Sequence, residues 1–516
     1  MSIALQKPGG GVRPLCCGDP LRRLVAKCFC LAGKDDISAH FKGRNYGVGC
    51  PGGVEVVAHS LRDVLRAQKG SDLALLKIDF KNAFNLVDRR AFMSLTCQRF
   101  PALSAWTNWC YSSPSVLLYD HQDVILSESG VQQGDPLGPL YFCFGLAPLV
   151  EEIASLNPLY NKWYMDDGGI IAPVPVLLQV WELLKVKGPA LGLHLNPAKC
   201  EWSWLRPGRA DPVPVSAVPL VPIDRVFMLG VPLGSDVFCS EFVNKELLSS
   251  LPKTLGLLSE FEDSQSAFFL LRVSYSVVRA THFMRTTPLE QWLVQAKEFD
   301  HQVRTTAETI LGRPFTEDVY LQASLTPTLG GMGLRQSAVH APAAYAASFR
   351  ESQFTSGETW VVPPSTLSFL GSQKEASFAI DESIHRSLVE RADRRGRQRL
   401  GRLLEPHAGA FVTAVPSTED GYETVMRPQV FRTTVAYRLG LPVVPHAFTC
   451  PLCKQSFDIL GDHASCCKRN GDLIVRHNAI RNLVEKVCQE GFLSPVLEKD
   501  GILGETSGRR PGDVTI

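Results

Sequence analysis

The stretch WYMDDGGII, residues 163–171, sets Asp166 and Asp167 side by side between apolar residues and follows them with two glycines. A third acid, Asp79, lies near the end of a short apolar run, LALLKIDF (73–80). If the two runs are neighbouring strands, three carboxylates meet at one sheet edge. Clustered carboxylate oxygens suit two hard divalent cations about 3.5–4 Å apart, a pair that clamps the attacking and leaving oxygens of a phosphoryl displacement. The alternative is structural, because Asp-Asp-Gly between apolar segments is also an ordinary hairpin turn.

The tail carries a different ligand set. In CPLCKQSFDILGDHASCCKRNGDLIVRHNAIR, Cys450 and Cys453 are separated by two residues, and His463 and Cys467 follow. The two thiolates can take one side of a tetrahedral site; His463 and Cys467, on one helical face, can close it as structural Zn²⁺. Cys466 and His477 are alternative fourth ligands, and Cys-x-x-Cys alone also suits redox chemistry.

The elements that must position these groups follow from periodicity. LALLKIDF reads as a buried strand, and NKWYMDDGGIIAP as a hairpin. VEVVAHSLRDVLRAQ (54–68) repeats apolar residues at helical spacing until KGSD breaks the pattern. Residues 88–110 and 176–192 read as helices, and GDPLGPLYFCFGLAPLVEEI as a buried helix entered through turn residues. SVLLYD and DVILSES read as a strand pair around His121. Residues 207–223 are proline-rich and irregular, 240–350 mostly helical, and 354–384 a linker with weak structure.

Size and charge set the outer bounds. The chain has 516 residues, 45% hydrophobic and 20% charged, which fits a globular protein of two to four domains. Its formal charge of +1 announces no nucleic-acid partner, so any basic surface is local. Residues 1–50 carry eight basic against three acidic side chains, and seven arginines fall between Arg386 and Arg402. The N-terminus has no apolar signal-peptide core, and the charge-free run Pro136 to Val150 is shorter than the roughly 20 residues of a spanning helix. Fifteen scattered cysteines suggest a reducing compartment with free thiols or metal ligands.

Five segments then occur in a telling order: LLKIDFKNAFNLVD, SGVQQGDPLGPLYF, WYMDD, LGLHLNPAKCEW and FMLGVPLGS. Together they resemble the palm of a reverse transcriptase, and the chain resembles those of non-LTR (LINE-like) retrotransposons, in the branch with a C-terminal CCHC zinc knuckle and restriction-like endonuclease. The resemblance implies an α+β right-hand polymerase with fingers, palm and helical thumb, followed by a small zinc-binding segment and a partial restriction-like nuclease fold. It places catalysis and two Mg²⁺ ions on Asp79, Asp166 and Asp167. It sets Phe84 against the sugar, where a ring excludes a 2′-hydroxyl, and puts Gln133 and Gly134 in the element shaping the nucleotide pocket. Lys199 takes the place of a general acid toward pyrophosphate, and Gly230 the turn of a primer-grip hairpin.

Upstream, LQKPGGGVRPLCCGDPLRRLVAK resembles the fingers hairpin, with Lys7 and Arg13 as cations for a triphosphate. Downstream, Arg272, Arg279 and Arg285 in the thumb, and the Arg386–Arg402 cluster, are candidates for phosphate contact. RRPGDVTI (509–516) resembles the first strand of a PD-(D/E)xK nuclease, with Asp513 as a metal-binding acid and Glu485 as a possible second.

The expected organisation is partial fingers at 1–70, palm at 71–239, thumb at 240–350, a linker with the basic stretch at 351–440, a zinc knuckle at 441–480, and the start of a truncated nuclease at 481–516. The short ends suggest a fragment of a longer element protein, in which endonuclease activity is not expected. The reading is an RNA-directed DNA polymerase using an RNA template, a DNA primer or target DNA and dNTPs, without membrane, acting in nucleus or cytoplasm. The alternative is a catalytically inactive remnant that binds nucleic acid.

Overall fold

A computed structural model describes residues 2–6, 12–16, 18–119, 123–209, 211–362, 371–417, 424–467, 469, 471–497 and 514–515. Its centre is a four-stranded antiparallel sheet of β3 (Ala74–Ile78), β6 (Tyr160–Tyr164), β7 (Asp167–Ala172) and β8 (Glu201–Trp204), in the order β6-β7-β3-β8. The unbroken apolar run of β3 has a simple cause: both sheet faces are covered. Leu76 and Ile78 point into a core with Trp163, Trp202 and Phe142, while Leu75 points into another with Tyr160, Ile171 and Leu61.

Helix α3 (Gly53–Ala67) packs on β6. α7 (Gly138–Ser155) and α8 (Val174–Lys187) cover the opposite core. α7 is apolar nearly all round because it is buried nearly all round, and Pro148 sits inside it without ending it. No described helix is long and apolar enough to cross a membrane.

A second sheet has the order β2-β1-β4-β5, from β1 (Ser2–Gln6), β2 (Val12–Cys16), β4 (Ser115–Tyr119) and β5 (Asp123–Ser127). The two hairpins meet where Ser2 pairs in parallel with Tyr119. Strands from within residues 71–239 thus share a sheet with the first sixteen residues. Short helices α1 (Pro20–Ala32), α2 (Lys34–Phe41), α4 (Ala83–Leu86), α5 (Arg89–Arg99) and α6 (Pro101–Tyr111) complete this half.

Residues 236–356 are helical around a separate core that includes Phe268, Trp292 and Phe299. The 351–440 stretch is more than a linker. The helix Pro428–Leu439 contributes Phe431, Val435 and Leu439 to that same core. The weak-structure reading of 354–384 also needs correction, because Gln373–Arg391 is a helix opened by a capping box between Ser372 and Glu375. Beyond it lie a two-stranded ladder, Phe448–Thr449 with Ser456–Phe457, and a helix Asp472–Glu490. Val496–Leu497 pairs with Val514–Thr515.

Candidate active site

Register brings the acids to one edge. In the antiparallel β3–β7 pair, Ile78 faces Gly168, so Asp79 continues toward Asp167. Across the β6–β7 hairpin Tyr164 faces Asp167, leaving Met165 and Asp166 as a two-residue turn. Met165 has φ of 53° and Asp166 is not left-handed, the pattern of a hairpin turn that favours glycine at its first position. Holding methionine there costs about 1 kcal/mol or more.

The restraint comes from Asn45, whose Oδ1 accepts from the Met165 amide at 3.0 Å and whose Nδ2 donates to the Met165 carbonyl at 3.1 Å. Asp79 is held by Cys200, whose Sγ accepts from the Asp79 amide at 3.4 Å, and by the Asn196 amide, which donates to the Asp79 carbonyl at 2.9 Å.

Asp79, Asp166 and Asp167 line one cavity of about 700 Å³ with Phe84, Gln133, Gly134 and Lys199. Asp167 reaches solvent across the cavity mouth but is crowded by protein. That burial, then the charges of Asp166 and Asp79, raise its carboxyl to about 6, with Lys77 opposing. The acids therefore feel one another, although they form no cluster as tight as the cysteine set described below. Mutual repulsion among crowded carboxylates is what a bound cation relieves, so the donor set fits hard divalent ions.

Phe84 is half-buried and stacks on Phe142, with ring centroids 4.3 Å apart, while also lining the cavity. Gln133 Nε2 donates to Asn85 Oδ1 at 3.4 Å. Gly134 has a definite steric reason. Its φ is 126°, and a Cβ there would sit 2.2 Å from the Cys16 carbonyl oxygen. Next to it, the Cys16 amide donates to the Gln133 carbonyl at 2.6 Å, so the end of β2 docks on this turn.

Arg13 pairs with Leu5 in the β1–β2 ladder; its side chain and all of Lys7 lie outside the described residues. Lys199 is exposed on the rim. Gly230, φ 74°, follows left-handed Leu229 in the turn between Phe227–Met228 and Val231–Pro232. Met228 from that hairpin packs against Gly169 of β7.

Sequence reasoning missed Asn45, Cys200 and Arg89. Arg89 ties the approach to Gln133 by donating to the carbonyls of Ser127 and Gly130 at 2.9 and 3.0 Å. Sequence marks none of the three, since each works through a backbone group far along the chain.

The downstream arginines divide sharply. Arg285 is no free phosphate ligand: it pairs with Glu55 at 2.6 Å and Glu351 at 2.7 Å, tying α3 to the helices of residues 236–356. Arg272 and Arg279 lie over the rings of Phe269 and Tyr275.

In the tail, ligand atoms of Cys450, Cys453, His463 and Cys467 all lie within 4.8 Å of one another. Cys450 and Cys467 sulfurs are 4.0 Å apart, and Cys453 Sγ is 3.2 Å from His463 Nε2. Tetrahedral Zn–S bonds of about 2.3 Å imply edges of about 3.8 Å, so the set fits zinc. The amide of Cys453 foremost lowers the Cys450 thiol to about 6, favouring the thiolate that binds metal. Cys466 and His477 are outside this group. Glu485 accepts from Gln489 on its own helix, and Asp513 lies outside the described residues.

Residues 5–233 match the family model described as reverse transcriptase (RNA-dependent DNA polymerase). The chain is 26% identical over 353 residues to the Retrotransposable element SLACS 132 kDa protein of Trypanosoma brucei gambiense, covering 65% of this chain and 28% of that protein. Among solved structures it is similar to telomerase of Candida albicans in complex with a fragment of telomeric RNA, at 10% identity and TM-score 0.40 over 78% of this chain and 64% of that one. Telomerase of Candida tropicalis in the same kind of complex gives 12% identity and TM-score 0.39 over 78% and 63%. Residues 5–233, which hold the aspartate cavity, are thus similar to reverse transcriptases, and the chain spans about a quarter of the length of the retrotransposable-element protein it matches.

Proposed function

We propose that this chain is an RNA-directed DNA polymerase of a retrotransposon-derived protein. It would extend the 3′-hydroxyl of a DNA primer or nicked target strand with dNTPs on an RNA template. One observation carries the reading: a reverse transcriptase sequence folds so that Asp79, Asp166 and Asp167 share one cavity with Phe84 and Lys199.

In this reading Asp79, Asp166 and Asp167 would hold the divalent ions. When bound, two Mg²⁺ would ease deprotonation of the primer hydroxyl and neutralise the triphosphate. The rest is done by the chain. Asn45 and Cys200 keep the turn and Asp79 in place; Phe84 would limit space at the sugar 2′-position; Lys199, on the cavity rim, would protonate departing pyrophosphate; Arg13 and Lys7 are assigned to the triphosphate. Nuclear or cytoplasmic action on these partners belongs to the same proposal.

Cys450, Cys453, His463 and Cys467 would hold structural Zn²⁺. The resulting knuckle would brace the tail against the rest of the protein, because Arg395 already pairs with Asp462 at 2.6 Å beside His463.

Primer extension on poly-rA/oligo-dT with Mg²⁺ tests the polymerase reading. Incorporation that disappears in Asp166→Ala supports it; incorporation unchanged by that substitution, or none by the unsubstituted chain, overturns it.

A further inference from the structure

The arginine-rich helix Arg394–Arg402 is two-faced, and only one face is explained by the fold. Arg395 is committed to Asp462 at 2.6 Å. Arg399 donates to Gln322 Oε1 at 2.9 Å and to the Arg438 carbonyl, and Leu400 is buried beside it. These residues occupy the inward side. At about 100° per residue, Arg394, Arg397, Gln398, Gly401 and Arg402 fall on one outward arc of about 140°, and all five are exposed. Arg394, Arg397 and Arg402 have no ion pair among the described residues, unlike Arg391, which meets Asp318 at 2.9 Å on the preceding helix.

Two features separate this face from a merely solvated one. First, three cations with no anionic partner among the described residues repel one another along about 12 Å of helix, a spacing that suits successive phosphates. Lysine or glutamate would solubilise a helix equally well; arginine adds the planar fork that grips phosphate oxygens in pairs. Second, Gly401 lies among them in the last turn of the helix. A Cβ there would meet nothing within 4 Å, so packing does not demand the glycine. A missing side chain between arginines lets another backbone come close.

We infer that the outward face of Arg394–Arg402 is a sequence-independent binding surface for a nucleic-acid phosphodiester backbone. Arg394, Arg397 and Arg402 are its phosphate ligands, and Gly401 is the point of closest approach. This surface is separate from the aspartate cavity and does not depend on catalysis there. The inward arginines hold the helix; the outward ones face the ligand.

The test is the salt dependence of binding by the full chain, measured by fluorescence anisotropy with duplex DNA, an RNA–DNA hybrid and single-stranded RNA as separate probes. Each neutralised phosphate adds about 0.9 to the slope of log K against log salt on duplex DNA. Replacing Arg394, Arg397 and Arg402 together by Gln is expected to lower that slope by about two to three for the probe that binds here, with the melting temperature unchanged. The triple Lys variant should restore the slope. Gly401→Leu should weaken affinity with the charge count intact. An unchanged slope and affinity for all three probes in the Gln variant overturns the inference, and an acidic protein partner would give that result. Primer extension by the same preparations keeps the two readings apart: extension with an unchanged slope removes this surface alone, whereas a lowered slope without extension removes the polymerase reading alone.

Discussion

Asn45 grips both backbone polar groups of Met165, 120 residues away, at 3.0 and 3.1 Å. The same Oδ1 accepts from Gly47 at 3.0 Å, and Asn45 is only 4% exposed. The left-handed turn that presents Asp166 is therefore fixed from a neighbouring loop. Asn45→Ala is expected to cost about 2 kcal/mol of stability by orphaning buried amides. It should lower kcat about tenfold or more, because a small misplacement of reacting groups is costly. Asn45→Asp keeps the acceptor but sets a carboxylate oxygen against the Met165 carbonyl, so it should recover little of the stability. Thermal melts and single-turnover extension measure both; an Asn45→Ala enzyme with unchanged kcat would show that the turn holds itself.

Gly134 should tolerate no side chain. Gly134→Ala places a carbon 2.2 Å from the Cys16 carbonyl, so the β2 end must move. The expected result is faster proteolysis within the first sixteen residues and a raised KM for dNTP, with DNA affinity nearly unchanged. Wild-type proteolysis and KM would contradict this docking.

Phe84→Val should raise ribonucleotide incorporation relative to deoxynucleotide by about tenfold or more, as expected when about 1.4 kcal/mol of steric discrimination is lost. Loss of the 4.3 Å stack on Phe142 should also cost about 1–3 kcal/mol of stability. Competition between rNTP and dNTP on one template measures the first effect independently of the second.

His59 makes stability pH-dependent. Complete burial, with Arg62 adding, lowers its pKa to about 3; Nε2 meets Ser348 Oγ at 2.9 Å and the Arg285 carbonyl at 3.1 Å. The unfolded chain binds a proton near pH 6.5 that the folded chain refuses. This stability is therefore full above about 6.5 and falls as pH drops toward about 3, by about 1 kcal/mol per pH unit. The melting temperature should fall less between pH 7 and pH 5 in His59→Gln than in the unsubstituted chain. Equal pH dependence in both would assign the acid sensitivity elsewhere.

Chelation of zinc, with Mg²⁺ kept in excess, should act on the tail and spare the aspartate cavity. With one zinc per chain, removing it is expected to increase protease cleavage between 440 and 467 while initial extension rates on short primers hold. Cys453→Ser should mimic the chelator. Metal analysis finding no zinc in protein purified without chelator would contradict the site.

Local patterns made part of this molecule readable. The apolar run before Asp79 and the hairpin around Asp166–Asp167 announce themselves because each is specified within a dozen residues. The closeness of Cys450, Cys453, His463 and Cys467 was legible for the same reason. What was not legible depends on distant partners. Nothing near Asn45 in sequence indicates Met165, and nothing near Arg285 indicates Glu55, so a structural arginine looked like a phosphate ligand. The pairing of Ser2 with Tyr119 likewise hides from any local reading. The helix Gln373–Arg391 is a different kind of miss. Its Ser372–Glu375 capping box was present in the sequence, but a weak apolar stripe obscured it.

The sharpest measurement is primer extension on poly-rA/oligo-dT by Asp79→Ala, Asp166→Ala and the double variant, compared with the unsubstituted protein. Ligands of one shared metal pair act as a unit, so each single change should lower the rate by about a thousandfold or more and the double change should add little. Multiplying losses, or robust extension by either single variant, would mean that Asp79 and Asp166 do not serve one centre.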